Sequence, residues 1–288
     1  MAILIDKDTK TMVQGITGKN AAVHTGLMME YGTDVVAGVT PGKGGQDVHG
    51  KPVYDTVAEL KDNHPEVTLS SIWVPARFTR DAVLEAVDAG IETIVIITET
   101  IPIHDMLLVR KRAKEAGVTL LGGNTPGLIS PGQAMVGMLP VRTFTEGRIG
   151  VATRSGSLLY YVANYLDHAG MGESTAAGMG GDPIIGTNFD DLLRMFEADP
   201  ATDAVVMHGE IGGVLEEMAA PYIQEMSKPV VGYITGRFAP SGKRMGHAGA
   251  LIEGGLGTAA SKIEALEKNG ARVAETISDI PRLLKEML

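Results

Sequence analysis

The strongest constraint in this sequence is a repeated alternation between short apolar runs and longer amphipathic segments. The runs hold five to eight residues and are rich in β-branched side chains, and most are followed by a segment with helical periodicity. Buried strands separated by helices require right-handed βαβ crossovers, which place the strands in a parallel sheet with helices on both faces. The sequence therefore predicts an α/β fold.

The first series of alternating segments occupies residues 1–124. Its predicted strands are TMVQG, DVVAGV, LSSIWV, ETIVIIT and AGVTLLGG. A stretch punctuated by Pro and Gly, residues 125–147, follows without a convincing helix, and we interpret it as the crossing between two domains. The predicted helices of the first series are Asn20–Tyr31, Thr56–Asn63, Phe78–Ala89 and His104–Ala116.

The second series, residues 148–288, repeats the pattern with strands RIGVAT, STAAGMG, DAVVMHG and PVVGYIT. Both series predict doubly wound sheets, in which ligands bind beyond the carboxyl ends of the strands. Functional residues are therefore expected in the loops that follow strands. The predicted helices of the second series are Ser157–His168, Asp190–Glu197, Gly213–Met226, Leu256–Asn269 and Pro281–Leu288.

Composition excludes several classes of function. The formal net charge of −10 argues against a generic nucleic-acid binder, which normally presents a basic face. The absence of cysteine excludes disulfides and thiolate metal sites, and no pair of histidines has the spacing of metal ligands. Because we find no secretory leader and no apolar run near the roughly 20 residues that span a bilayer, we expect a cytoplasmic protein without a membrane partner.

Two loops of the first series are suited to bind an anion. GITGKN follows the first strand, and its Gly18 lets the backbone turn into a helix whose N–H groups favour negative charge. GVTPGKGGQDVHG follows the second strand and carries Lys43 between two glycines, where a nucleotide phosphate is its natural partner. The alternative for GITGKN is an ordinary tight turn between a strand and a helix, and the alternative for Lys43 is a solvated surface lysine. The absence of GxGxxG and of a ribose-binding acid argues against a nicotinamide dehydrogenase.

In the second series, RSGSLLYY opens a helix directly after a strand. Ser155 and Gly156 provide either a phosphate cradle or a structural N-cap alone.

One histidine, His247, lies among five glycines in GKRMGHAGALIEGG. Imidazole is neutral enough near neutral pH to attack phosphorus and forms a labile N–P bond, and the flanking glycines leave room for a phosphate. Glu210 ends another predicted strand and is able to hold the second ring nitrogen. We interpret His247 as a phosphate carrier, and the alternative is a hydrogen-bonded structural histidine. Trp73 is interpreted as an apolar anchor. The other histidines are predicted to be structural or exposed, namely His24, His49, His64, His104, His168 and His208.

Seven motifs taken together closely resemble the α subunits of succinyl-CoA synthetase, the ADP- or GDP-forming succinate–CoA ligases. They are GITGKN, VTPGKGG, ITET, RSGSLLY, GGDPIIG, GEIGG and GKRMGHAGA, and the resemblance runs collinearly over essentially all 288 residues. It implies an N-terminal Rossmann-like CoA-binding domain followed by a flavodoxin-like doubly wound ligase domain.

The resemblance also implies a set of site residues. His247 is the phosphorylated histidine, Glu210 orients it, Ser155 and Gly156 bind phosphate, and Tyr160 lies on the substrate side. The implied contacts to coenzyme A are Thr17, Gly18, Lys19, Asn20, Lys43, Ile97, Thr98 and Glu99.

The implied activity is reversible formation of succinyl-CoA from succinate and CoA, with ATP or GTP converted to ADP or GDP and phosphate. The route passes through phosphohistidine and an acyl phosphate. A β subunit with an ATP-grasp site for the nucleotide and Mg²⁺ completes the enzyme as αβ or (αβ)₂. Because Gly123, Thr125, Ile185 and Arg237 depart from the family pattern, two alternatives stay open. They are a malate–CoA or other dicarboxylate–CoA ligase subunit and a non-catalytic CoA-binding module.

Overall fold

A computed structural model of the chain describes residues 2–240, 242–252 and 256–288. The glycine-rich stretch around His247 is therefore described up to Ile252, and its last three residues, 253–255, lie outside the described residues. The strands form two seven-stranded sheets, one from each half of the described chain.

The first sheet has the strand order β3-β4-β2-β1-β5-β6-β7, and all neighbours are parallel except β3 and β4. Without the two-residue edge strand β3, this is the Rossmann order. The prediction missed β3 and β4, which are too short to show a period. The elements are β1 (Lys10–Gln14), α1 (Lys19–Tyr31), β2 (Asp34–Val39), β3 (Asp47–Val48), β4 (Lys51–Tyr54), α2 (Val57–Asn63), β5 (Leu69–Ile72), α3 (Ala76–Asp88), β6 (Thr93–Ile96), α4 (Ile103–Glu115) and β7 (Thr119–Leu121).

The second sheet has the order β14-β13-β12-β10-β11-β8-β9. Its parallel part, β10 to β14, has the flavodoxin order, so the predicted fold class is confirmed. The elements are β8 (Gly127–Ser130), β9 (Ala134–Gly137), β10 (Glu146–Thr153), α5 (Gly156–His168), β11 (Glu173–Gly178), α6 (Phe189–Ala198), β12 (Ala204–Glu210), α7 (Leu215–Ile223), β13 (Val230–Thr235), α8 (Ala259–Lys268), β14 (Arg272–Val273) and α9 (Ile280–Met287), with 3₁₀ turns at Val141–Thr143 and Ile277–Asp279.

The stretch interpreted as an interdomain crossing contains an antiparallel hairpin, β8–β9, that extends the second sheet. Its glycines permit a close backbone approach, since a Cβ on Gly127 would lie 1.9 Å from the carbonyl oxygen of Val136. The hairpin also binds the first half of the chain: the Thr33 hydroxyl donates to the carbonyl of Met135 at 2.6 Å and accepts from its N–H at 3.0 Å. These contacts join the two halves of the molecule.

Helices cover both faces of each sheet, and each of the nine predicted helices overlaps one of α1–α9. One continuous apolar core includes side chains from both sheets, among them Ile16 and Val35 from the first half and Val151 and Val206 from the second. Within the described ranges, no helix combines the length and the apolar character needed to cross a bilayer.

Candidate functional site

The carboxyl ends of β10 and β12 meet at the point where the strand order of the second sheet reverses. Glu210 is the last residue of β12, and Arg154 and Ser155 follow β10 directly. The loop with His247 lies over this point, because the N–H of Gly249 donates to the carbonyl of Gly181 at 3.2 Å. The switch point of a doubly wound sheet is where such folds bind ligands.

His247 and Glu210 form a hydrogen-bonded pair. Nδ1 of His247 lies 2.7 Å from Oε2 of Glu210, although the two residues are 37 positions apart in the sequence. The Glu210 side chain is almost fully buried, whereas that of His247 keeps 26% of its surface exposed. The hydrogen bond to Glu210 is the main cause that raises the pKa of His247, against the opposing effect of burial.

Arg154 lies on the other side of Glu210. Its Nε is 3.4 Å from Oε1 of Glu210, and its side chain is 3% exposed. The buried guanidinium and the buried carboxylate therefore form an ion pair behind the His247–Glu210 hydrogen bond. Sequence analysis missed Arg154, although its position in RSGS, immediately after a strand, was the available signal.

Two glycines make room for the His247 pair. A Cβ on Gly181 would lie 2.6 Å from Cγ of the His247 ring, and a Cβ on Gly249 would lie 2.7 Å from Nη2 of Arg154. Gly246, in contrast, has a positive φ of 81° and open space around it. The expected clearance around His247 therefore comes partly from Gly181, which lies 66 residues away in the sequence.

The N-terminus of α5 faces the same region. Ser155 caps the helix, its hydroxyl accepting from the N–H of Leu158 at 3.4 Å, and Gly156 is the first helical residue. The Ser155 N–H donates to the Thr153 hydroxyl at 3.0 Å. Thr153 in turn bonds Nδ1 of His208 at 2.6 Å. Burial lowers the pKa of His208 to about 4, so this ring is neutral and supports the backbone before α5.

A cavity of 570 Å³ brings residues of both halves of the chain together. His247, Gly156 and Ser157 contribute from the second half, and the loop after β6 contributes from the first. Of the residues predicted to contact CoA, this cavity is lined by Asn20, Ile97, Thr98 and Glu99.

A second cavity, of 740 Å³, lies where the strand order of the first sheet reverses, between β1 and β5. Thr17 and Gly18 line it. Trp73 and Val74 border both cavities, so the two spaces adjoin. Trp73 is half-buried against the apolar core, its ring stacks on His24 with centroids 5.1 Å apart, and it borders both cavities.

Besides Glu210 and Ser155, three predicted site residues are not among those that line the two cavities. Lys19 is the exposed first residue of α1, and Lys43 is exposed in the loop after β2, where its N–H donates to Oδ1 of Asp55 at 2.9 Å. Tyr160 is half-buried against the core, with its ring 5.5 Å from that of Tyr161. Among the described residues that line the two cavities, these three are absent.

Metal ligation finds no support in the described part of the chain, where no group of three or more His, Cys, Asp or Glu side chains is placed to hold an ion. The groups that the described part of the chain brings to the site are the imidazole, its charged neighbours and the N-terminus of α5.

Comparison with known proteins places this architecture in a class. Residues 6–100 match the CoA binding domain family, and residues 152–272 match the CoA-ligase family. A CoA-binding domain followed by a ligase domain defines a CoA ligase, and its two switch points hold the two cavities.

The chain belongs to the family of succinate–CoA ligase α subunits. It is 57% identical over 288 residues to the succinate–CoA ligase [ADP-forming] subunit alpha 2 of Archaeoglobus fulgidus, covering 100% of both chains. It is 52% identical to the corresponding subunit alpha of Aquifex aeolicus, covering 100% of this chain and 95% of that one.

A solved structure of similar fold is ATP citrate lyase from Methanothrix soehngenii in complex with citrate and coenzyme A. The TM-score is 0.90 at 23% identity, over 99% of this chain and 50% of that chain. The chain thus spans about half the length of that lyase, and the similarity concerns the fold alone.

Proposed function

We propose that this chain is the α subunit of a succinate–CoA ligase and that its His247 carries the phosphoryl group between the acyl donor and the nucleotide. The observation that carries the proposal is the His247–Glu210 pair at the wall of a cavity shared by both halves of the chain. Membership of the family supports the same assignment.

The pair makes His247 a nucleophile at a defined nitrogen. With the proton on Nδ1 and donated to Glu210, the lone pair of the neutral ring lies on Nε2, which has no hydrogen-bond partner within the described residues. The positive charge that develops on the ring during attack is stabilised by the carboxylate. The guanidinium of Arg154 lies 3.4 Å from the other oxygen of that carboxylate.

Phosphate would bind at the N-terminus of α5. The backbone N–H groups after Ser155 and the helix dipole favour an anion there, and Gly156 lines the same cavity as His247. The exposed pair Lys243 and Arg244, on the loop that carries His247, adds positive potential.

Coenzyme A would extend across both cavities. Thr17 and Gly18 are placed for its phosphates at the start of α1, with Lys19 and Lys43 supplying charge from the rim. The part of the cofactor that carries sulfur would pass Trp73 and reach the space beside Ile97, Thr98 and Glu99. Tyr160 would meet the acid or the partner from the second turn of α5.

The reaction consists of three reversible transfers. A phosphate oxygen attacks the thioester carbon of succinyl-CoA, the C–S bond breaks, and CoA leaves as the thiol after protonation. Nε2 of His247 then attacks the phosphorus of succinyl phosphate, the P–O bond breaks, and succinate leaves. Finally a terminal oxygen of the nucleoside diphosphate attacks the phosphorus, the N–P bond breaks, and the triphosphate forms.

The enzyme requires a partner, as the name of the relatives implies with the word subunit. We place the ATP-grasp nucleotide site and Mg²⁺ on a β subunit, in an αβ or (αβ)₂ assembly. We assign CoA binding to residues 1–124 and the phosphohistidine to residues 148–288, with residues 125–147 between them. A cytoplasmic location stays a prediction from the sequence.

The deciding experiment incubates the purified αβ complex with γ-labelled ATP. Acid-labile, base-stable label on the α chain is expected in the wild type and is expected to vanish in His247→Ala. The matched control is His104→Ala, because His104 is an exposed histidine on α4. Retention of label in His247→Ala would refute the assignment of the carrier, and absence of label in the wild type would refute the ligase.

The identity of the acid substrate is determined by an acyl-CoA formation assay with succinate, malate and citrate, each with ADP/ATP and GDP/GTP. Succinate should give the highest kcat/KM. A higher value for malate or citrate would identify a different dicarboxylate–CoA ligase, and no acyl-CoA with any acid would identify a non-catalytic CoA-binding module.

A further inference from the structure

The backbone that carries Glu210 is held by a charged pair that is inaccessible to solvent. Lys262 on α8 and Glu216 on α7 are both 0% exposed, and Nζ of Lys262 contacts Oε2 of Glu216. The other carboxylate oxygen, Oε1 of Glu216, accepts from the N–H of Glu210 at 3.0 Å. One carboxylate therefore joins the buried ammonium to the residue that holds His247.

Lys262 makes further contacts in the turn between β12 and α7. Its Nζ donates to the carbonyl of Gly213 and to Oε2 of Glu217, both at 3.1 Å. The ammonium thus binds three oxygens of residues 213–217, the segment that directly follows the catalytic strand end. The turn cannot move relative to α8 without breaking these bonds.

Stability alone is a poor explanation for this pair. Taking two charges out of water costs several kcal/mol per ion, and apolar replacements of buried ion pairs are often neutral or stabilising. Buried pairs are best explained where they fix one geometry among several. Here the geometry that they fix is the direction of the Glu210 backbone, and therefore the direction of its side chain toward His247.

The Glu216 carboxylate packs closely against the strand that ends at Glu210. A Cβ on Gly209 would lie 2.5 Å from Oε1 of Glu216, so the carboxylate lies directly against the strand beside Glu210. Gly209 does not have a positive φ, and alanine is therefore compatible with its backbone. The contact provides an independent way to displace Glu216.

We infer that Lys262 and Glu216 are positioning residues for the phosphoryl-transfer reaction: their buried pair holds the N–H of Glu210 so that the Glu210 carboxylate meets Nδ1 of His247. The inference rests on the proposed function, because it assigns the pair to the reaction of His247. Neither residue touches the cavity in which phosphate would bind.

The test compares two double variants that both remove the buried charges. In Glu216→Gln/Lys262→Met, the glutamine oxygen still accepts from the N–H of Glu210. In Glu216→Leu/Lys262→Met, the size is kept but no acceptor remains. Both variants also remove Lys262 from Glu217, but the Glu217 side chain is 22% exposed and keeps its bond from the Ser261 hydroxyl, so both variants are expected to fold.

Two quantities are measured on the αβ complex. The first is kcat and KM for phosphorylation of His247 by labelled ATP, and the second is the pKa of His247 by NMR of histidine-labelled protein. The charged groups that face this ring are Glu210, Arg154 and Asp182, and none of them is changed in either variant.

The expected result is a kcat about tenfold lower in the leucine variant than in the glutamine variant, with equal KM for ATP. The pKa of His247 should fall in the leucine variant alone, because the carboxylate no longer meets Nδ1. A purely structural pair would lower the thermal midpoint without separating the two variants. Equal kcat and equal His247 pKa in both would overturn the inference.

Gly209→Ala gives a second test if the leucine variant does not fold. It displaces the Glu216 carboxylate and should likewise lower kcat and the pKa of His247, whereas the surface control Lys268→Met on α8 should change neither. An unchanged His247 pKa in Gly209→Ala would refute the positioning role. The pKa comparison holds even if wild-type His247 accepts no label, so failure of the proposed function is distinguishable from failure of this inference.

Discussion

The two ring nitrogens of His247 have different environments, and the difference determines what each residue around them does. Nδ1 is hydrogen-bonded to Glu210, whereas Nε2 has no hydrogen-bond partner among the described residues, and His247 lines the cavity. Arg154 contacts the carboxylate of Glu210 that holds the ring, and the lack of a side chain on Gly181 provides the space that the ring occupies. At this scale the sequence pointed to His247 from the glycines around it and to Glu210 from its position at the end of a strand. Arg154 and Gly181 required the structure, because their roles depend on contacts between distant segments.

Glu210→Gln tests the electrostatic role of the carboxylate. Because the hydrogen bond to Glu210 raises the pKa of His247, the variant should have a lower His247 pKa. The ring must be neutral to attack, so the acidic limb of the rate–pH profile should move to lower pH, while the plateau rate falls by about 10- to 100-fold. Rapid-quench phosphorylation between pH 5 and 9 measures both. A profile that keeps its acidic limb would contradict the assignment.

Gly181→Ala tests the space beneath the ring. The new Cβ would lie 2.6 Å from Cγ and 2.9 Å from Nδ1 of His247, so the imidazole has to shift and its hydrogen bond with Glu210 is disturbed. We expect phosphorylation to slow by roughly 10- to 100-fold. The affinity for CoA, measured by calorimetry, should stay unchanged. A wild-type rate would mean that the ring tolerates displacement and that its contact with Glu210 is not needed.

The site residues of the second sheet lie at the ends of strands and helices and not in their interiors. β10 and β12 end side by side, which brings Arg154 next to Glu210, and the N-terminus of α5 follows one residue later. The long strands and helices were predictable because each shows a clear period. The β8–β9 hairpin was not, because its strands lie in a stretch punctuated by Pro and Gly in which no helix separates them. Its strand pairing depends on contacts with β11 and with Thr33.

Glu173→Gln tests a buried carboxyl at the start of β11. Burial raises the pKa of Glu173 to about 8, and its side chain is 1% exposed with one bond from the N–H of Thr145. In the unfolded chain the group ionises near pH 4.5, whereas the folded protein keeps it protonated to about pH 8. Its contribution to stability is therefore lost progressively as pH rises through this window.

The expected consequence is that Glu173→Gln becomes more stable than the wild type as pH increases. The two proteins should differ little at pH 4, and the variant should gain about 1–3 kcal/mol in free energy of unfolding at pH 8. Denaturant titrations at both pH values, with the exposed Glu267→Gln as control, measure the difference. A gain that is the same at both pH values would exclude ionisation as its cause.

At the scale of the whole molecule, the two halves of the chain meet along backbone hydrogen bonds. The N–H of Gly186 donates to the carbonyl of Gly122, and that of Thr187 to the carbonyl of Leu120, both at 2.6 Å. The loop before α6 thus bonds to the end of β7. The cavity between β1 and β5 is lined by residues of the first half alone, whereas the cavity that His247 lines draws on both halves.

Lys43→Ala tests that division. Lys43 lies in the loop after β2 of the first sheet and is expected to bind a phosphate of CoA. The variant should bind CoA more weakly by about 1–2 kcal/mol, the range for a charge-assisted hydrogen bond. Phosphorylation of His247 by ATP should be unchanged, and Lys285→Ala on α9 serves as the surface control. An equal loss of both functions would contradict separate sites.

The sequence by itself determined the fold class and the candidate carrier, because hydrophobic periodicity and glycine-rich loops after strands are local properties. The tertiary structure alone decided which buried charges meet. Glu210 lies 37 residues from His247, and Lys262 lies 46 residues from Glu216, so no spacing in the chain predicts their contacts. Burial makes such contacts directional, because a charge removed from water needs a partner at one definite place, and only the folded chain creates that place.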